Sequence, residues 1–282
     1  MKRENETMSK PFFHIAYFIF SIAACEPLFA QSNTRGVVNP ERQDTLFAAP
    51  AEHHKILLVP FYSKMCMSQI DRQVNKETEM DYDQITEAFR KGLDLALYSR
   101  FHMNYVTMSL LQGRYKSDSV LNYIYGSTAY NYALVPGTKE DEDKQPGASN
   151  ANHYMVKGQL EVPVDYSQRF MDIVVKNPKL LPFLYKKYHA DTYLFINELD
   201  IKNVPNTAGD LDNAYIRQVT VHYSILNKDG TSMSAGIETV YFPYGENVPA
   251  DIRDKYFTSI ARSILSDYVS SLSRKQKKED KE

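Results

Sequence analysis

Seven histidines, two cysteines and 35 acidic residues are the side chains with which this 282-residue chain could do acid–base, nucleophilic or metal chemistry. His14 falls in an apolar leader. His53 and His54 adjoin one another in a polar stretch, and His102, His153, His189 and His222 are isolated. No HxxxH, HxH or CxxC spacing occurs, so no metal ligands are assigned. Asp210 and Asp212 resemble the start of a calcium loop, but the glycine and distal glutamate of such a loop are missing. The acidic run 140–143 lies between lysines and reads as a solvated loop. No GxSxG elbow marks a serine hydrolase, and neither a Walker-type nor a GxGxxG glycine pattern marks a phosphate site. A carboxylate pair for glycoside cleavage would come from distant positions, and nothing points to one. The sequence therefore offers no catalytic, cofactor-binding or metal-binding residue, and the chain is not expected to be an enzyme.

The cysteines are Cys25 and Cys66. Two are too few for a disulfide framework. Cys66, between two methionines and with no obvious base, reads as a small buried hydrophobe. Cys25 belongs to the amino terminus. There Lys2, Arg3 and Lys10 precede an apolar run, 12–24, which is too short to span a bilayer and has the length of a signal-peptide core. Two exits stay open. Cleavage after Ala30 would remove residues 1–30. Alternatively, residues 22–25 form a lipobox whose Cys25 takes a lipid, giving a membrane anchor. Both imply export to the periplasm or to the outer membrane. Residues 31–54 are polar and read as a tether.

These residues must be positioned by elements that periodicity can place. Residues 55–61, KILLVPF, are a continuous apolar run and predict a buried strand. Residues 62–81 read as an irregular loop. A helix capped by Asp83 and running to about Arg100 buries Ile85, Phe89, Leu93, Ala96 and Leu97, with Gly92 marking a close packing contact. Residues 102–111 predict a strand. Section 112–175 reads as an elaboration inserted in a smaller core, with a short helix at 120–125, a tyrosine-rich stretch, a mobile loop at 137–152 and a strand at 154–164. Residues 179–202 organise the rest: an amphipathic helix, a break at 188–191 with His189 at the helix end, then a buried strand. Residues 215–226 form a strand with Val219, Val221, Tyr223 and Ile225 on one face. Arg217, Gln218, Thr220, His222 and Ser224 are assigned to the other face or the strand's start. An Asp229-Gly230 turn leads into a returning strand to 242. A last helix, 250–274, and a charged tail, 275–282, close the chain.

The hydrophobic fraction of 43% is enough for a real core. The net charge of −2 gives no reason to expect nucleic acid or an acidic membrane as partner. Tyrosine is abundant at 21 and tryptophan absent, a bias that suits strands and contact surfaces. The residues chosen as a contact surface are Tyr215, Arg217 and His222 on a strand face, with Tyr123, Tyr125, Tyr130 and Tyr132.

The order of strand 55–61, helix, strand, then KKYHADTYLFINELDI, then RQVTVHYSILNKDGTSMSAGIETV and a terminal helix resembles a family of bacterial envelope domains. That family includes the curli-secretion lipoprotein, the amino-terminal domain of TolB and the LpoB activators of peptidoglycan synthases. In it a helix ends in a Gly-Ala-Asp-like break before a tyrosine-led strand; here His189 stands where glycine is usual. The resemblance covers about 55–110 and 179–272 and leaves 112–175 unmatched. It implies a binding or assembly module without catalytic residues, and an envelope protein as partner. The expected fold is α+β: a single domain over 55–274 with a mixed sheet of about five strands and helices mainly on one face, in two layers. The function expected is docking in outer-membrane, secretion or cell-wall machinery. The alternatives are a hydrolase whose residues converge from separate strands, and a carrier of small ligands or glycans.

Overall fold

The computed structural model describes residues 54–134, 154–156, 159–161, 169–206 and 215–279. Cys25 and the leader, the loop 137–152, and Asp210 with Asp212 lie outside the described residues.

The apolar run at 55–59 gives β1 (Lys55–Val59), whose side chains point alternately to the two faces of a mixed sheet. Ile56 and Leu58 are buried on one face, and Leu57 and Val59 on the other. β1 is flanked by two parallel neighbours, β3 (Val106–Ser109) and β8 (Thr192–Pro205). β8 pairs antiparallel with β9 (Tyr215–Asn227), which turns into β10 (Ser232–Pro243). The sheet order is β10-β9-β8-β1-β3, and a short β2 (Cys66–Ser68) extends the β1 side of β8. The α+β class and the mixed sheet are thus as the sequence predicts, with six strands.

The first face is covered by α1 (Asp71–Thr78), α2 (Tyr82–His102), α5 (Pro249–Ile252) and α6 (Thr258–Glu279). Phe89, Leu93, Leu97 and Phe101 of α2 meet Ile260, Ile264 and Tyr268 of α6 and the inward residues of β8 and β9. Burying each such side chain stabilises the fold by ~1.5–3 kcal/mol. Gly92 lets the helices approach: a Cβ there would meet Arg253 Cβ at 3.4 Å and the Phe257 ring at 3.7 Å. Those contacts come from a π-turn at Arg253–Phe257, which interrupts the predicted terminal helix.

The second face is covered as well, by α3 (Asp118–Ser127) and α4 (Leu180–Tyr188). Leu180, Leu181, Leu184 and Tyr188 of α4 pack with Leu57, Tyr193 and Phe195. The helix at the organising stretch therefore lies opposite α2 and α6, and the sheet is the middle of three layers rather than one of two. Beside α3 and α4 runs a ribbon of β4 (Thr128–Leu134) and β7 (Arg169–Val175), paired antiparallel. Section 112–175, expected as an addition, contributes α3 and this ribbon to the second cover.

Other differences are local. The loop expected at 62–81 contains β2 and α1. Helix α2 starts earlier, because Asp81 and Gln84 form a capping box with reciprocal bonds of 2.8 and 2.9 Å. It also ends later, taking His102 from the predicted strand. The strand predicted at 154–164 is a hairpin of β5 (Tyr154–Val156) and β6 (Gln159–Glu161). Helix α6 continues to Glu279, into the stretch expected as a tail.

Candidate functional site

Two clusters bring polar side chains together inside the fold. The first sits where β1 and β3 end, the end at which parallel α/β sheets usually place ligands. Arg90 of α2 donates from Nε to the Phe61 carbonyl at 2.8 Å and from Nη2 to the Tyr125 hydroxyl at 2.9 Å. Tyr125 in turn donates to the Pro60 carbonyl at 2.8 Å. One turn on, Asp94 accepts from Ser109 Oγ at 2.7 Å and from Gln112 Nε2 at 2.6 Å. Burial pushes the Asp94 carboxyl up to about 6, against the lowering effect of both bonds and of Arg90. The crevice among Pro60, Phe61, Arg90 and Asp94 leaves ≈ 10 Å³, room for about one water. Arg90 and Tyr125 tie off carbonyls that would otherwise be unpaired at the strand end, which is a structural use of both.

The second cluster lies between β8, β9 and the β4–β7 ribbon. The β8–β9 register shifts between Ile196 and Glu198, a bulge at Asn197. Beyond the bulge Leu199 and Ile201 face the helical core, so Glu198 and Asp200 turn to the ribbon side. There they join His222 and Ser224 of β9. His222 Nδ1 accepts the Met171 N–H at 2.8 Å. Ser224 Oγ accepts the Ile173 N–H at 3.3 Å and donates to Asp172 Oδ1 at 2.6 Å. Asn197 Nδ2 donates to the Met171 carbonyl at 2.8 Å and to Ser224 Oγ at 2.7 Å. Glu198 stands 3.9 Å from His222 Nε2. Burial pushes Glu198 up to about 7, with Asp200 adding to the rise, and pushes His222 down to about 4. At neutral pH the imidazole is uncharged, with its proton on Nε2, because Nδ1 is an acceptor.

A serine, a histidine and aspartates thus share one layer, but not as a relay. The Ser224 proton is given to Asp172, and His222 spends its acceptor nitrogen on a backbone amide. A nucleophile–base pair requires the hydroxyl to donate to the imidazole. Both bonds instead rivet β7 to the sheet. Cys66, half-buried, has its thiol pushed up to about 12, chiefly by burial and then by Asp71, which makes it a poor nucleophile. Among the described residues no group of three His, Cys, Asp or Glu side chains is placed to hold a metal ion.

The residues chosen as a contact surface separate into exposed and buried sets. Tyr215, Tyr123 and Tyr132 are exposed, at 52%, 37% and 47%. Tyr125 and Tyr130 are half-buried, Tyr125 in the Arg90 tie. His222 and Arg217 are buried, which corrects their assignment to an exposed face. Arg217 also lies on the helical side, in step with Val219 and Val221. Its Nη1 donates to the Glu246 carbonyl and its Nη2 to Asn247 Oδ1 at 2.6 Å, and its guanidinium lies 5.0 Å from the Tyr244 ring centroid. The loop after β10 supplied these partners, and no periodicity in β9 announces them. Tyr244, which sequence reasoning missed, is 40% exposed and sits 6.5 Å from Tyr215.

This is an α+β protein in which both polar clusters are hydrogen-bonded within the fold and several tyrosines stand exposed. No known family profile matches the chain, and no curated protein is similar to it in sequence. Among solved structures it is similar to a hypothetical protein of Chlamydia trachomatis, with 10% identity and a TM-score of 0.36, over 77% of this chain and 98% of that one.

Proposed function

We propose that this chain is a non-catalytic exported protein of the bacterial envelope, a binding or assembly module in outer-membrane, secretion or cell-wall machinery. One observation carries the reading. Ser224, His222, Asp94 and Arg90 are each held in hydrogen bonds within the fold, whereas Tyr215 and Tyr244 stand exposed with their rings 6.5 Å apart. Exposed paired tyrosines suit an interface, because rings add contact area at little entropic cost. The apolar run 12–24 supports export, with Cys25 either lipidated or removed.

The test uses the full chain expressed in a bacterial envelope. A photo-crosslinking amino acid at Tyr215 is expected to trap one envelope protein, and Tyr215→Ala with Tyr244→Ala to abolish its co-purification. An unchanged set of co-purifying proteins in the double variant would remove this surface from the function. Mass spectrometry of the membrane fraction decides between a lipidated Cys25 and a chain beginning at Gln31.

A further inference from the structure

The opposite end of the β9–β10 hairpin carries a different surface. From Val174 to Ala190 the sequence contains no acidic residue, while Lys176, Lys179, Lys186 and Lys187 are all exposed. Aromatic rings are interleaved with these cations. Phe183 and Tyr185 of α4 are 38% and 43% exposed. Phe183 packs edge-on against exposed Tyr123 of α3 at 5.2 Å, and Lys187 Nζ lies 5.8 Å from its ring centroid. The hairpin turn joins the same surface: a Cβ on Gly230 would sit 3.1 Å from Leu181, and Lys228 Nζ lies 5.9 Å from the Tyr185 ring. None of these five lysines is in an ion pair among the described residues. Asp229 at the turn tip is the one acidic neighbour on the turn.

Exposed rings and lysines alternating on the outer ridge of a helix are the make-up of a surface that lies on a bilayer. The rings sit at headgroup level and the cations meet lipid phosphates. The path of the chain favours that occupant over an acidic protein. The described chain enters the fold at Lys55, whose carbonyl accepts the Asp191 N–H at 2.8 Å, two residues past the end of α4 at His189. The preceding stretch, with the apolar run and Cys25, therefore joins the fold at this same end. We infer that α4, with Tyr123 and the Lys228 turn, rests on an anionic phospholipid surface. The Tyr215–Tyr244 end then projects away from the membrane, at the far end of a 13-residue strand that spans ~40 Å. The inference stands on the basic surface itself and does not depend on the partner reading.

The experiment is vesicle flotation of the full chain on phosphatidylcholine alone and on phosphatidylcholine mixed with phosphatidylglycerol. The apolar run contributes to both, so the difference between the two reports the basic surface. Wild type is expected to bind the anionic vesicles more tightly, with the gain lost at high salt. Substituting Lys179, Lys186, Lys187 and Lys228 by Gln should cut that gain about fivefold per lysine, from ~1 kcal/mol each, and leave binding to neutral vesicles unchanged. Lys76→Gln with Lys91→Gln, on the other side of the sheet, should change nothing. Equal binding of wild type to both vesicles, or an undiminished gain in the four-lysine variant, overturns the inference. So does capture by polyglutamate without capture by vesicles, which would make the occupant an acidic protein.

Discussion

Replacing Asp94 by Asn should stabilise the protein at neutral pH and leave it unchanged in acid. Asp94 is 3% exposed and accepts two short hydrogen bonds, but it faces no cation at bonding distance. Its carboxyl rises from an ordinary 3.8 to about 6. The folded chain therefore holds this proton more tightly than the unfolded chain does. Stability from this group is fully present below about pH 4, falls as pH rises towards 6, and stays low above. A rise of about two pH units at ~1.4 kcal/mol each sets the cost of the ionised form near ~3 kcal/mol. Asn keeps an acceptor oxygen for Ser109 and Gln112 without the charge. Asp94→Asn should thus gain up to ~3 kcal/mol at pH 7 and nothing at pH 4, read from urea denaturation midpoints across that range. Glu198 and His222 do not blur the result. They titrate in wild type and variant alike, so their contribution cancels in the difference between the two. A variant less stable than wild type at pH 7, or an equal difference at pH 4 and pH 7, would refute the reasoning.

Two further outcomes follow from the same geometry. His222→Leu leaves the buried Met171 N–H without its acceptor and should cost ~1–3 kcal/mol at pH 7. His222 has a lowered folded value, so its contribution is present above 6.5 and lost as pH falls through about 4; the deficit of the variant in urea should shrink over that window. His189 holds a left-handed conformation at φ 52° as the α4 cap. His189→Gly should be neutral or stabilising by up to ~1 kcal/mol, and His189→Val destabilising by more than that, in thermal melts.

The parts of the fold legible in sequence are those whose side chains report their own surroundings. The run at 55–59, the period-two pattern of Val219 to Ile225 and the Asp229-Gly230 turn each state local geometry without reference to anything distant. The same is true of the apolar face of α2 and of the α4 helix with its His189 break. The candidate site was less legible. Tyr215, Tyr123 and Tyr132 are exposed as their type suggests. Arg217 reads as a surface residue by type, and only a loop thirty residues later gives it a buried carbonyl, an amide and a ring. His222 sits in a polar alternation that reads as a solvated face until β7 is laid across it. β7 itself went unread, because RFMDIVV neither alternates strictly nor forms one continuous apolar run.

The overall charge hides its own distribution in a similar way. A value of −2 is an average, and an average cannot show that the surface of α4 and the 228–230 turn carries lysines with almost no acidic neighbour. The sequence by itself determined the α+β class, the order of the main strands and helices and the lack of any local catalytic motif, because each follows from neighbours within one or two turns of chain. Tertiary structure alone decided that the sheet is covered on both faces, that the bulge at Asn197 turns Glu198 and Asp200 towards the ribbon, and that exposed tyrosines and exposed lysines stand at opposite ends of one hairpin. Those outcomes depend on residues far apart in the chain meeting in space, and no periodicity carries that information.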